Sequence, residues 1–288
     1  MTQKRLCILA AGFTPVRLTS HIEQEYPMQN IKLITAYDGT RYQGWQCRNR
    51  CDASGTISGK ITDVLHKITG EEIVLNCGFR TEAGFHASGQ TVNFKLNHSC
   101  NLQQIKKDMN HYLPQDIVIL SAQEVPERFH AGLNAKAKTL VCRIDTGTVS
   151  NVFTRRYCWH MLGVPDIKKM ERAAQMLCGK HDFMPFSSGK KKKAAEKNMF
   201  SIRFLRLPEN ELQIEFEADD FLHKMPQSLA GILIDIGYGR KSPDCIKDIF
   251  SGEIKKTSNL FIEDMTAQNP GSYCPGHAFC LKQIRYDL

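Results

Sequence analysis

Ile31-Lys32-Leu33-Ile34-Thr35-Ala36-Tyr37-Asp38-Gly39-Thr40 sets the reading of the fold. The stretch up to Tyr37 is largely apolar and rich in β-formers, which reads as a strand, and Asp38-Gly39-Thr40 is a turn signal. Downstream, Ile57, Ile61, Val64, Leu65 and Ile68 fall at helical spacing, and Gly70 ends that helix. Strands are expected near Ile73 to Leu75 and Thr91 to Phe94. Ile105, Met109, Tyr112 and Leu113 mark a second helix closed by Pro114, and strands follow near Ile117 to Leu120 and Leu140 to Ile144. The order β-α-β-β-α-β-β is that of an α+β unit with ferredoxin-like topology.

The remainder has a similar grammar. Ile167, Met170, Ala173, Ala174 and Leu177 form a helical stripe with Gly179 as its C-cap. Ile214, Phe216 and Ala218 alternate with Glu215 and Glu217, the pattern of a half-buried strand. Phe221, Met225, Leu229, Ile232 and Ile236 predict a long helix stopping near Gly237, followed by a short helix over Asp244 to Phe250 and a last strand near Phe279 to Ile284. The expected organisation is an N-terminal extension over residues 1–30, an α+β half over 31–148 and a second over 149–288. Lys4 and Arg5 before the apolar Leu6 to Phe13 loosely mimic a signal peptide, but the stretch is short, and Met28 could be an alternative start.

The 288 residues are 42% hydrophobic and 24% charged, ordinary globular composition, enough for a full core without disulfides or metal. Lys and Arg outnumber Asp and Glu by 38 to 30, a net charge of +8, which suits a polyanionic partner such as RNA. The 11 cysteines form no CxxC pair, and Cys47/Cys51 and Cys274/Cys280 lack the partners of a zinc site. Scattered thiols of this kind point to a reduced, cytoplasmic protein, and the absence of a long apolar run points away from a membrane span.

Five stretches, in order, carry a resemblance. They are Tyr37 to Gln46; Gly78-Phe79-Arg80-Thr81-Glu82-Ala83-Gly84-Phe85-His86-Ala87; Phe129-His130-Ala131 with the basic strand Lys136 to Arg143; Trp159-His160 with Gly179 to Phe183; and Phe221-Leu222-His223-Lys224-Met225 with Gly231 and Gly237-Tyr238-Gly239. Together they resemble the tRNA pseudouridine synthase A family, from Ile31 to the C-terminus. The resemblance implies the pseudouridine synthase fold: two ferredoxin-like halves sharing a central antiparallel sheet flanked by helices. It also implies isomerisation of uridine to pseudouridine in the tRNA anticodon arm, by a homodimer, with neither metal nor organic cofactor.

The second stretch resembles that family's catalytic loop, usually Gly-Arg-Thr-Asp-x-Gly-Val-His. The resemblance makes residue 82 the carboxylate that acts as nucleophile or base, and Arg80 the group that helps displace the base and binds phosphate. Here residue 82 is Glu. The extra methylene shifts the carboxylate by about 1 Å, a misplacement that can slow chemistry about 100-fold. Leu140 falls where the family has a base-stacking Tyr, and Gln227 where it has an Arg paired with the carboxylate. Loss of that cation loosens the carboxylate's aim. Phe79 and Phe85 are expected to crowd the pocket wall, and His86 to order the loop. Pro226 interrupts the helical stripe, so the helix should kink or start late. Arg155 and Arg156, beside Tyr157, and the run Lys190, Lys191, Lys192 and Lys193 are candidate RNA contacts, against the alternative of solvated surface charge. His181-Asp182-Phe183 reads as a structural turn. The substitutions leave open an impaired paralogue that binds tRNA or other structured RNA without modifying it; a dimeric structural protein that ignores RNA is the third reading.

Overall fold

The computed structural model describes residues 28–46, 53–188, 195–252 and 273–287. Ten strands form one sheet: β1 (Gln29–Tyr37), β2 (Asn76–Cys77), β3 (His86–Leu96), β4 (Ile117–Glu124), β5 (Ala135–Asp145), β6 (Trp159–His160), β7 (Gly179–Asp182), β8 (Glu196–Leu207), β9 (Glu211–Ala218) and β10 (Phe279–Tyr286). Five helices accompany it: α1 (Ile57–Thr69), α2 (Leu102–Tyr112), α3 (Ile167–Leu177), α4 (Met225–Gly237) and α5 (Cys245–Ser251). This is the α+β class expected.

The sheet runs β4-β1-β3-β10-β5-β9-β8-β7, with β2 added to β3 and β6 to β5. The expectation of an antiparallel sheet needs one correction. β10 lies antiparallel to β5 but parallel to β3, and β5 and β6 are also parallel, so the sheet is mixed. The cause is topological. The last strand enters between β3 and β5, which run in opposite directions, so it can oppose only one of them.

One continuous core runs through the molecule. Ile31 and Leu33 of β1 meet Ile57, Ile61 and Leu65 of α1, and Leu140, Cys142 and Ile144 of β5 join Phe216 of β9 and Leu229 and Ile232 of α4. Thr56 caps α1 by accepting from Gly59 N–H, and Gly70 closes it in the left-handed conformation (φ 74°). Every residue of α4 is buried, Gln227, Ser228 and Asp235 included, as befits a helix enclosed on all sides.

Four local expectations change. Ile73 to Leu75 is not a strand: Val74 is 78% exposed, and pairing with β3 begins at Asn76 and Cys77. α3 is capped by Cys178, and Gly179 (φ 100°) opens β7 instead. α4 begins at Met225 rather than Phe221, because Lys224 adopts the left-handed conformation (φ 66°). Pro226 therefore stands in the first helical turn, where its missing N–H has no partner to lose, and of the two outcomes expected there the late start is the one observed. β8 had no counterpart in the sequence reading; it pairs with β9 along its length.

Candidate active site

The loop between β2 and β3 carries Arg80 and Glu82, and it is held from beneath. Trp45 N–H donates to the Thr81 carbonyl (2.9 Å), and the Tyr37 hydroxyl meets Thr81 Oγ1 at 2.7 Å. Gln90, fully buried, clamps Phe79 by donating to its carbonyl (2.5 Å) and accepting from its N–H (3.3 Å). The Asp38–Trp45 turn packs backbone to backbone against this loop. A Cβ on Gly39 would lie 1.9 Å from the Phe85 carbonyl oxygen, so only glycine fits there.

Glu82 points to the N-terminus of α4. Lys224 N–H donates to its Oε1 (2.7 Å), and Gln227 Nε2 donates to Oε2 (3.2 Å). The Lys224 ammonium lies 2.8 Å from Oε2 and His223 Nε2 3.8 Å from it. The helix dipole adds to this positive setting. Glu82 keeps 14% of its side chain exposed, so the carboxylate is not sealed in the packed interior. Burial pulls the Lys224 ammonium down, but Glu82 and Tyr273 beside it prevail and hold it above its ordinary value. Burial pushes Tyr273 up to about 12. The expectation that substitution at residue 227 leaves the carboxylate without a cation is thus overturned, since Lys224 supplies one. Sequence reasoning gave Lys224, His223 and Tyr273 no role. The signal available was a lysine three positions before Gln227.

The other expected site residues separate into groups. Arg80 is exposed and lies against the Cys77 thiol, which burial pushes up to about 11; among the described residues no ion pair ties Arg80 to Glu82. Leu140 is fully buried, paired across the sheet with Phe216 and Leu281, and shows no surface to an incoming base. Gln227 is fully buried too, and its Oε1 has no partner, an unmet acceptor that costs about 1–3 kcal/mol. Phe85 does not crowd the pocket: it is 1% exposed and stacks on Phe279 (4.9 Å between centroids) as the floor of the loop. Phe79 packs edge-on against Phe221, with the Lys138 ammonium 5.6 Å from its ring centroid. Among the described residues His181 has no acid partner; it meets the Cys178 carbonyl (2.9 Å) and stacks on Phe250.

His86 ties the Arg80–Glu82 loop to the segment that carries Arg155 and Arg156. Gly39 N–H donates to its Nδ1 (3.1 Å), and its Nε2 faces the carbonyl oxygens of Arg156 (3.1 Å) and His277 (3.0 Å). Arg155 and Arg156, both exposed, line an open cleft of about 580 Å3 together with Thr40, Tyr42, Ala83 and Gly84. Lys190 to Lys193 lie outside the described residues. Among the described residues no group of three or more His, Cys, Asp or Glu could hold a metal ion.

Tyr157 pins this same segment by donating to Asp38 Oδ2 (2.9 Å). Burial alone would raise the Asp38 carboxyl, but hydrogen bonds from Thr40 and Tyr157 and the nearby His86 outweigh it and hold the group below its ordinary value. A depressed folded-state value stabilises the fold above the unfolded carboxyl range and is lost as pH falls through it. Tyr157→Phe should therefore lose about 1 kcal/mol at neutral pH. In urea titrations that difference should shrink below about pH 4. A difference independent of pH would contradict this account of Asp38.

The comparisons agree with this architecture. A family model described as tRNA pseudouridine synthase matches residues 173–273. The chain is 37% identical to tRNA pseudouridine synthase A 2 of Bacillus cereus (strain ZK / E33L) over 238 residues, 82% of this chain and 96% of that protein. It is 36% identical to tRNA pseudouridine synthase A of Bacillus sp. (strain KSM-64) over 254 residues, covering 88% of this chain and all (100%) of the relative. With tRNA pseudouridine synthase A 1 of Clostridium tetani (strain Massachusetts / E88) the figures are 34% over 262 residues, 90% of this chain and 100% of the relative. At this identity and coverage, and with the Glu82 loop, the α4 N-terminus and the mixed sheet in one arrangement, the chain belongs to the tRNA pseudouridine synthase A family.

Proposed function

We propose that this chain isomerises uridine to pseudouridine in the anticodon arm of tRNA, with Glu82 as the reacting carboxylate and Arg80 as its helper. The observation that carries the reading is the setting of Glu82. Its two oxygens are oriented by Lys224 and Gln227, yet the side chain keeps access to solvent. Fixed orientation is what a group attacking or deprotonating a nucleotide needs.

The reaction is internally balanced. The N1–C1′ bond of uridine breaks, the uracil turns, and a C5–C1′ bond forms. The C5 proton leaves and N1 ends protonated, so no atoms are gained. The target base must first leave its stack, which requires a few kcal/mol. The reading takes residues 31–148 and 149–288 as the two halves. Glu82 comes from the first, and Lys224 and Gln227 from the second. Action as a homodimer in the cytoplasm belongs to the same reading; among the described residues no helix is long and apolar enough to cross a membrane.

In this reading Arg155 and Arg156 take phosphates; they share a cleft with Ala83 and Gly84 of the Glu82 loop, which supports it. Each phosphate contact contributes up to about 0.9 to the slope of log affinity against log salt. The double variant Arg155→Ala/Arg156→Ala should lower that slope by about 1–2 and weaken tRNA binding most at low salt. An unchanged slope would remove both residues from the RNA surface.

One observation favours a second reading. Leu140 is sealed in the core and offers no aromatic face to a base, which fits a chain that holds tRNA without modifying it. Incubation with tRNA lacking pseudouridine, followed by chemical mapping of the anticodon arm, separates the two. The first reading expects a new pseudouridine; tRNA shifted in a gel but left unmodified supports the second.

A further inference from the structure

We infer that Lys224 is the positioning residue of the Glu82 carboxylate, holding it through both its backbone N–H and its ammonium group. This rests on the reading of Glu82 as the reacting carboxylate and assigns the group that aims it.

A single residue grips both carboxylate oxygens. The backbone N–H takes Oε1 at 2.7 Å and Nζ takes Oε2 at 2.8 Å. The two contacts come from different parts of one lysine, so the carboxylate cannot rotate without breaking at least one. Gln227 adds a neutral donor to Oε2 at 3.2 Å. His223 stands farther off at 3.8 Å, and the Tyr273 ring centroid lies 5.4 Å from the ammonium Nζ.

The backbone points the same way. Lys224 is in the left-handed conformation (φ 66°, ψ −3°), uncommon for any residue but Gly, Asn or Asp. That conformation stops the preceding chain, starts α4 and turns the N–H onto Glu82. A position that needs only this backbone is best served by glycine. Lysine there is explained by its side chain, which reaches back over the same carboxylate. Sparsely populated backbone held this way is characteristic of functional sites.

The test uses the full-length protein and unmodified tRNA. Lys224→Asn keeps a residue that tolerates the left-handed conformation but removes the charge. Its turnover should fall about 100-fold, the scale expected from losing aim, with the Kd for tRNA within about threefold of wild type. Lys224→Arg should recover most of the turnover. So should Lys224→Asn combined with Gln227→Arg, because a guanidinium at residue 227 starts from an amide already within reach of Oε2. Turnover unaffected by Lys224→Asn, or a loss seen in tRNA affinity alone, overturns the proposal.

A second readout does not need turnover. Lys224 acylation by acetic anhydride, measured by mass spectrometry against the exposed Lys168, should rise several-fold in Glu82→Gln, since the carboxylate that keeps the amine protonated is gone. Unchanged labelling overturns the proposal even if the wild type forms pseudouridine. Raised labelling in a protein that forms none upholds the clasp while sinking the synthase reading.

Discussion

Glu82→Ala should lower pseudouridine formation by about 1,000-fold or more, the range in which removal of an acid–base or nucleophilic group falls. Binding of tRNA should stay within about threefold, because Arg155 and Arg156, the cations proposed to meet phosphates, lie outside the Glu82 cluster. The variant leaves Lys224 N–H, the Lys224 ammonium and Gln227 Nε2 aimed at empty space. Among the described residues, Lys224 and Gln227 bond to no second carboxylate. Glu82→Asp separates charge from reach. It keeps the anion but withdraws it by about 1 Å from Gln227 and Lys224, and the rate should fall about 100-fold. If Glu82→Ala forms pseudouridine at the wild-type rate, residue 82 is not the reacting group.

The second large effect is on stability. Phe85→Ala should cost about 3–5 kcal/mol, the range for truncating a buried phenylalanine. Phe85 is 1% exposed and stacked on Phe279, joining the loop that carries Glu82 to the C-terminal strand β10. Its N–H also donates to the Glu82 carbonyl (3.1 Å), so the cavity would open directly beneath the site. Urea unfolding should show a lower midpoint at an unchanged slope. Phe85→Leu, which refills most of the volume, should lose clearly less. A change under about 1 kcal/mol for Phe85→Ala would mean that the loop does not rest on this ring.

The helices were the most legible elements. α1 and α3 announce themselves by apolar residues at helical spacing, and this local signal survives in the fold. β8 was invisible for a physical reason. It pairs at the periphery of the sheet with only Met199 buried, so its side chains carry little apolar pattern. The parallel junction of β3 with β10 joins residues almost two hundred positions apart, which no local pattern encodes.

The site was half legible. The loop from Gly78 to Ala87 could be picked out by resemblance, and with it Arg80, Glu82 and His86. Lys224 could not, because reading a helix from Phe221 placed it inside the element with no special direction. Only its left-handed backbone turns it onto Glu82. Phe85 misled for a related reason. Its bulk was visible in the sequence, but whether it fills the pocket or supports it depends on Phe279, far along the chain.

The most direct measurement is release of tritium from tRNA carrying [5-3H]uridine, because a C5–C1′ bond cannot form without expelling the C5 hydrogen. The account predicts stoichiometric release by the wild-type chain and none by Glu82→Ala at equal tRNA occupancy. Saturating tRNA binding by the wild type with no tritium released would contradict it.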